Sequence, residues 1–187
     1  PGFGDPNARL YILGLAPAAH GGNRTGRVFT GDRSGDWLYE ALHHFGFANQ
    51  ATSTHVGDGL ALTDCYIGAT VRCAPPANKP TPKEFIACRP FVVREVQLLK
   101  AVRVVVVLGK IAFDHYLKAS REVGHRLPTP LPKFGHGAIY NLPWDVTLIS
   151  SYHPSQQNTF TGKLTRSMFH RIFSQARQTL SGTSNPN

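Results

Sequence analysis

Four apolar runs of strand-forming residues recur along the chain and predict the strands of one sheet. They cover 9–14, 64–72, 102–109 and 145–151. Helical patterns lie between or after these runs, over 34–45, 82–100, 110–119 and 165–180. Since strands alternate with helices, and valine runs almost unbroken through the third strand, the pattern indicates a parallel sheet covered by helices on both faces.

The helix predicted over 82–100 has the clearest start signal. Thr81-Pro82-Lys83-Glu84 is a capping box with proline at the first helical position. The helix over 165–180 places Phe169, Ile172 and Phe173 on one face, which is the pattern of a helix that packs on a core.

Long loops rich in Gly, Pro, Asn and His separate these elements. They cover 15–33, 74–80, 121–143 and 152–163. Three of them follow strands one, two and four, and therefore belong to the carboxyl edge of the sheet, where open α/β folds bind ligands. We expect a single domain over 1–180 and a flexible tail over 181–187.

The charge of the chain narrows the class of partner. Lys and Arg outnumber Asp and Glu by 20 to 11, and a formal charge of +9 favours a polyanion. No apolar run approaches the roughly 20 residues that span a bilayer, and no secretory signal opens the chain, so we expect a cytoplasmic protein without a membrane partner. Three cysteines indicate thiols or metal ligands and not a disulfide framework.

The loop after the first strand reads GLAPAAHGGNRTGRVFTGD over 14–32. Its glycines permit close backbone approach, and its free amides can receive an anionic or carbonyl-bearing ligand. It matches neither a Walker A loop nor a dinucleotide-binding fingerprint. A plain connection is the alternative, but the length of the loop and its polar and aromatic side chains favour a binding loop.

The loop after the fourth strand carries the second candidate group. Pro154 fixes His153 at the end of the strand, beside hydroxyl and amide side chains. A histidine after a strand is usually structural, yet this position suits a group that donates a hydrogen bond to a departing base.

These two loops carry a resemblance to a known family. Residues 14–17 (GLAP) and 153–155 (HPS) resemble the two signature motifs of uracil-DNA glycosylases. The longer match, 14–32 with VRCAPP over 71–76, resembles family 5, the B-type enzymes with an iron–sulfur cluster. The resemblance extends over about 1–180. It implies a three-layer α/β/α sandwich with a central four-stranded parallel sheet. It also implies a monofunctional glycosylase that flips uracil, and other deaminated bases such as hypoxanthine, out of double-stranded DNA and removes them by hydrolysis.

The resemblance assigns roles around the flipped base. Gly14 and Ala16 belong to the base pocket, and Phe29 matches the aromatic residue that stacks on the base, with a purely structural anchor as the alternative. His153 matches the residue that hydrogen-bonds uracil O2 as negative charge develops there. Ala69 stands where the sister family reads uracil with an Asn, and a pocket without that amide is expected to discriminate less sharply between bases.

The attacking water lacks its usual partner in this sequence. Many relatives position it with an Asp or Asn at the place of Ala16. We expect Asn23 to take this role, with His20 and Asp32 as alternatives, and a dissociative reaction in which the base leaves first. No motif places a Lys or Pro nucleophile, so no lyase step is expected.

The resemblance also implies how DNA is held. Ser155, Gln156, Gln157 and Asn158 match the segment that enters the minor groove, with the two glutamines as candidates for the wedge that fills the vacated stack. Five cations lie in or near the two loops and could hold phosphates, and each could equally be solvated charge: Arg24, Arg27, Arg33, Lys163 and Arg166. Without an exposed apolar helix, we expect a monomer, associated with the nucleoid.

Cys73 and Cys88 match the downstream pair of ligands of a [4Fe-4S] cluster, which normally takes four thiolates. The resemblance implies two further cysteines from a segment before residue 1, and a structural role in which the cluster pins the 74–88 loop near DNA. We interpret Cys65 as a core thiol. Two other functions stay open at this point: a nucleotide-binding α/β hydrolase and a non-catalytic iron–sulfur module that binds DNA.

Overall fold

The computed structural model describes residues 2–182. The predicted tail over 181–187 therefore lies largely outside the described residues. One sheet is formed by β1 (Phe3–Gly4), β2 (Leu10–Gly14), β3 (Cys65–Ala69), β4 (Val104–Leu108), β5 (Ile139–Leu142) and β6 (Val146–Ser151). Its order is β1-β3-β2-β4-β6-β5, and the four inner strands are parallel.

The predicted parallel sheet of four strands is thus confirmed as the centre of the sheet, but the whole sheet has six strands and not four. An antiparallel strand extends each edge: β1 pairs with β3, and β5 pairs with β6. The first has only two residues, and the second alternates between exposed and half-buried positions before Leu142. Neither edge strand needs the continuous apolar run of a strand that is covered on both faces.

Residues 2–182 form six α-helices: α1 (Gly22–Thr25), α2 (Arg33–His44), α3 (Pro82–Leu98), α4 (Lys110–Glu122), α5 (Gln156–Phe160) and α6 (Arg166–Leu180). The four longer ones, α2, α3, α4 and α6, cover the sheet. Alternate side chains of the inner strands point to opposite faces. Ile12 and Val106 join one core with α2 and α6, whereas Leu13 and Val107 join a second core with α3 and α4. The three-layer α/β/α sandwich is therefore confirmed.

The capping box at the start of α3 is present as predicted. The Thr81 hydroxyl accepts a hydrogen bond from the Glu84 amide, and the Glu84 carboxylate accepts one from the Thr81 amide at 2.6 Å. Two amides that the helix itself leaves free are satisfied in this way. Among residues 2–182, no helix has both the length and the apolar character needed to cross a membrane.

The register of the inner strands positions the candidate loops. Gly14 pairs with Ala69, and Leu108 pairs with Ser151, so the strand ends lie level at one edge. Beyond the paired strands, the amides of Thr70 and Val71 donate to the carbonyls of Gly14 and Leu15 at 2.9 and 2.8 Å. The loops after β2, β3 and β6 consequently start side by side.

Candidate active site

A cleft of about 560 Å³ opens at the carboxyl edge of the sheet. The first loop and the start of α2 contribute Leu15, Ala16, Ala18, Phe29, Asp32, Arg33 and Ser34. The loop after β3 contributes Ala77 and Lys79, and the loop after β6 contributes His153, Ser155, Gln156 and Gln157. The three loops that the sequence assigns to this edge therefore line one cleft.

Two glycines, Gly14 and Gly35, leave room for Phe29 in this cleft. Its backbone has a φ of 54°, in the left-handed region that a bulky residue rarely adopts. Its ring lies over Gly14, where a Cβ would stand 2.6 Å from Cζ of the ring. Its carbonyl lies against Gly35, where a Cβ would overlap the oxygen. Strain of this kind persists only where the surroundings impose it, and it is common at ligand sites.

His153 faces Phe29 across the floor of the cleft. The ring centroids are 6.0 Å apart and the planes are inclined by 27°. Burial lowers the pKa of His153 to about 4, so the imidazole is neutral near pH 7. A neutral imidazole has one N–H to donate, and a hydrogen bond from it stabilises an acceptor atom on which negative charge develops.

The segment after His153 is fixed by its own side chains. The Ser155 hydroxyl caps α5 by accepting from the Asn158 amide at 3.3 Å. The Asn158 side chain turns back and donates to the His153 carbonyl at 2.9 Å. Gln156 and Gln157 stay exposed at the rim of the cleft. Of the four residues predicted to enter the minor groove, Gln156 and Gln157 are thus exposed, while Ser155 and Asn158 fix the loop by hydrogen bonds.

The candidates for placing water are divided between two cavities. Asn23, exposed on α1, lines a neighbouring cavity of about 130 Å³ together with Ala69. Asp32 lines the cleft that contains His153, and its carboxylate caps α2 by accepting from the Gly35 amide at 3.0 Å. Burial raises the pKa of Asp32. His20 is exposed and is not part of the lining of either cavity.

The predicted phosphate-binding cations differ in their surroundings. Arg24 is exposed, and its Nε donates to the His20 carbonyl at 3.2 Å. Lys163 Nζ lies 4.9 Å from the ring centroid of Tyr152, and Arg166 pairs with Glu40. Arg33 borders the cleft.

Arg27 corrects the sequence-based expectation. Its side chain is only 3% exposed and forms an ion pair of 2.7 Å with Asp58. It also donates to the hydroxyls of Thr30 and Ser53. A guanidinium whose donors are taken up inside the fold is not available to a phosphate, so Arg27 fixes the first loop instead.

Sequence reasoning missed two features of the rim. Lys79 enters the cleft from the loop after β3, and the only signal for it was that this loop follows a strand at the same edge. Phe160, at the end of α5, is 67% exposed, and the Arg33 guanidinium lies 4.4 Å from its ring centroid. An aromatic ring that flanks a binding cleft without being buried is a candidate contact surface.

The three cysteines lie in different surroundings. Cys65 is fully buried in the core, and burial raises the pKa of its thiol. Cys88, buried on α3, accepts a hydrogen bond from the Arg72 amide at 3.4 Å. Cys73 is exposed. The pKa of its thiol is raised by partial loss of solvent around the sulfur and by the nearby Cys88 and Glu84. Residues 2–182 contain no group of three or more side chains placed to bind a metal ion.

Comparison with known proteins gives a consistent set of similarities. A family model described as the uracil DNA glycosylase superfamily matches residues 1–177. A type-5 uracil-DNA glycosylase of Mycobacterium bovis is 50% identical over 179 residues, which are 95% of this chain and 65% of that protein. One of Thermus thermophilus is 49% identical over 180 residues, 95% of this chain and 78% of that protein. A type-4 uracil-DNA glycosylase of Pyrobaculum aerophilum is 29% identical over 156 residues, 83% of this chain and 70% of that protein. The chain therefore spans about two thirds of the length of its mycobacterial relative.

Proposed function

The chain belongs to the uracil-DNA glycosylase superfamily and, within it, to the type-5 family, and on this premise we propose that it is a monofunctional DNA glycosylase that removes uracil from double-stranded DNA. The observation that carries the proposal is the contact between Phe29 and the neutral imidazole of His153 at the bottom of the cleft. An aromatic face and a hydrogen-bond donor are the two groups that a flipped pyrimidine needs.

Capture of the base begins with the duplex. Unpairing and unstacking one nucleotide costs a few kcal/mol, and less at a mismatch such as U·G. Phosphate contacts from Arg24 and insertion of the exposed Gln156 or Gln157 into the vacated stack offset this cost. The protein works as a monomer on nucleoid DNA in this proposal.

Cleavage then depends on where charge develops. As the glycosidic bond breaks, negative charge grows on uracil O2, and the N–H of His153 donates to that oxygen. The sugar becomes oxocarbenium-like and is captured by water, without a covalent enzyme intermediate. Asn23 places this water from the adjoining cavity; Asp32, which shares the cleft with His153, is the alternative.

The substrate range follows from Ala69. An alanine has no amide with which to recognise the edge of uracil. A base with different exocyclic groups is therefore not penalised by an unpaired donor or acceptor at residue 69. We therefore propose that hypoxanthine and other deaminated bases are also excised, at lower rates than uracil.

Two thiols fit one side of an iron–sulfur cluster. The amide of Arg72, the residue before Cys73, donates to the Cys88 sulfur at 3.4 Å, so the backbone next to Cys73 lies beside the Cys88 thiol. They would hold two irons of a [4Fe-4S] cluster, with two further thiolates supplied from outside residues 2–182. Bound there, the cluster would supply a structural crosslink between α3 and the loop that contributes Lys79 to the cleft.

The test uses labelled duplexes with one U·G, U·A or hypoxanthine·T pair, incubated with the protein and then treated with alkali. Strand breaks that require alkali are expected, and His153→Ala is expected to abolish them while duplex affinity stays within about threefold. Breaks without alkali would indicate a lyase. Duplex binding without any base release would instead support a non-catalytic DNA-binding module.

A further inference from the structure

His136 lies behind the cleft and holds the backbone next to His153. The amide of Tyr152 donates to its Nδ1 at 3.2 Å, and its ring stacks on the Tyr152 ring with centroids 5.0 Å apart. Met168, in the first turn of α6, lines the same small cavity as the ring. His136 is not part of the cleft lining and instead borders a separate cavity against α6.

The contact matters because the sheet no longer holds the chain at this point. β6 ends at Ser151, where the Gly109 amide donates to the Ser151 carbonyl. Beyond it, three side chains hold the backbone that carries the proposed donor: His136 on the amide of Tyr152, the Ser151 hydroxyl on the carbonyl of Tyr152, and Asn158 on the carbonyl of His153.

The segment that carries His136 is itself fixed to the sheet. The Gly137 amide donates to the Ser150 carbonyl at 2.8 Å, and the Ser150 amide donates to the Ala138 carbonyl at 3.0 Å. His136 is therefore a rigid link between β6 and the segment that follows β6.

This arrangement requires one protonation state. Nδ1 accepts from the Tyr152 amide only while it carries no proton, so the proton of the neutral ring is on Nε2. Protonation at Nδ1 would bring two N–H groups face to face and break the contact. The charged or titratable groups around the ring are Arg171 of α6, the Tyr152 phenol, and Lys163 on the Tyr152 ring.

Those surroundings favour the neutral ring. Burial lowers the pKa of His136, and the charge of Arg171 adds to this effect, although the backbone of Met168 opposes it. The Ser151 hydroxyl lies 3.5 Å from Nδ1 and adds no charge.

We propose that His136 is a positioning residue of the glycosylase reaction, which holds the Tyr152-His153 backbone so that the His153 imidazole faces the base, and releases it when the ring is protonated in acid. This inference rests on the proposed function only in its kinetic part. The hydrogen bond itself is a separate, measurable claim.

Three substitutions separate the parts of this role. His136→Asn places an amide oxygen near the position of Nδ1 and cannot titrate. His136→Gln carries its amide one bond further from the backbone, at the position of Nε2, and offers no acceptor to Tyr152, and His136→Ala offers no polar group. We expect kcat to fall about tenfold to a hundredfold in the Gln and Ala variants, with KM unchanged. The Asn variant is expected to stay within about threefold of wild type.

The pH profile provides the second readout. Wild-type kcat is expected to fall on the acid side below the ordinary histidine pKa of about 6.5, as His136 takes up its proton. In His136→Asn this fall disappears, and the acid loss begins only near the titration of His153, at about 4. Equal kcat values in all variants, with one shared acid profile, would overturn the proposal.

A measurement without DNA keeps this outcome distinct from a failure of the proposed function. In ¹H–¹⁵N NMR spectra, the Tyr152 amide resonance is expected to shift as His136 titrates in the wild type, and to stay constant with pH in His136→Asn. If the shift appears while no base is excised, the hydrogen bond stands and the glycosylase function fails. If excision is normal but the amide ignores His136, the positioning role fails.

Discussion

The ring of Phe29 lies directly on the Cα of Gly14, so closely that a Cβ at residue 14 would stand 2.6 Å from Cζ and 2.7 Å from Cε2. Gly14 does not have a positive φ, so the site uses its missing side chain and not its conformational freedom. The last residue of β2 therefore sets the position of the Phe29 ring in the cleft.

The Gly14→Ala variant tests this relationship. We expect the methyl group to push the Phe29 ring away from His153, and excision of uracil to slow about tenfold to a hundredfold, since stacking on one base is worth about 1–3 kcal/mol. Single-turnover kinetics on a U·G duplex measure the effect. Gly57→Ala is the matched control, because its Cβ would have only ordinary contacts. Equal rates in the two variants would contradict a stacking role for Phe29.

His115 provides a prediction on stability in acid. Its ring is 8% exposed and stacks on Phe85 with centroids 4.3 Å apart. Burial, with Lys118 and Arg89 nearby, lowers its pKa to about 4. In the unfolded chain, His115 binds its proton near pH 6.5. The free energy of unfolding therefore has its full value above this pH and falls as the pH drops towards 4, because only the unfolded state takes up the proton in this range.

His115→Phe retains the stack and removes the proton. The free energy of unfolding in urea is expected to fall less steeply between pH 6.5 and 4.5 than in the wild type, by up to about 1.4 kcal/mol per pH unit. Above pH 7 the two curves run parallel. If the two curves stay parallel down to pH 4.5, His115 takes up its proton as readily in the folded state as in the unfolded state, and its pKa is not lowered.

The inner strands could be predicted because each is a run of buried apolar residues, as in Val104–Leu108. Parallel strands end at one edge, so the sequence also indicated which loops form the cleft. It could not reveal that Asn23 and His153 line different cavities, because the path of the first loop, in which Asn23 lies on the single turn of α1, is set by tertiary contacts. Nor could it distinguish Arg24 from Arg27, three residues apart, since the partner that draws Arg27 inward is Asp58, 31 residues away.

That difference between two arginines is testable. Arg24→Gln is expected to weaken duplex binding and to lower the salt dependence of the affinity by about one unit in log–log slope, with stability unchanged. Arg27→Gln is expected to cost about 3–5 kcal/mol of stability, because it leaves the Asp58 carboxylate buried without its partner.

Fluorescence anisotropy at several salt concentrations and urea unfolding separate the two effects. Although burial opposes it, the hydrogen bond from Arg27 and those from backbone amides hold the pKa of Asp58 well below its usual range. A stable Arg27→Gln variant with a reduced salt slope would instead assign Arg27 to the DNA surface.

Phe160 leads to a prediction about the rim of the cleft. The ring is 67% exposed at the end of α5, and the Arg33 guanidinium lies 4.4 Å from its centroid. Because an aromatic face stacks on any base and a guanidinium pairs with phosphate, this pair fits a strand that has been opened beside the flipped nucleotide. We expect Phe160→Ala to weaken binding to a U·G duplex about fivefold to a hundredfold, with little change in the folded state.

Phe91 offers a closely matched control for this substitution. It is 54% exposed on α3, and an arginine, Arg72, also lies over its ring, at 5.6 Å. Arg72 takes no part in lining the cleft, whereas Arg33, the partner of Phe160, does. If exposed aromatic area alone determined affinity, Phe91→Ala and Phe160→Ala would weaken duplex binding equally. If the position beside the cleft decides, only Phe160→Ala weakens binding, and its effect is larger for a duplex with a U·G mismatch than for a fully paired one, since the opened strand is what the ring contacts.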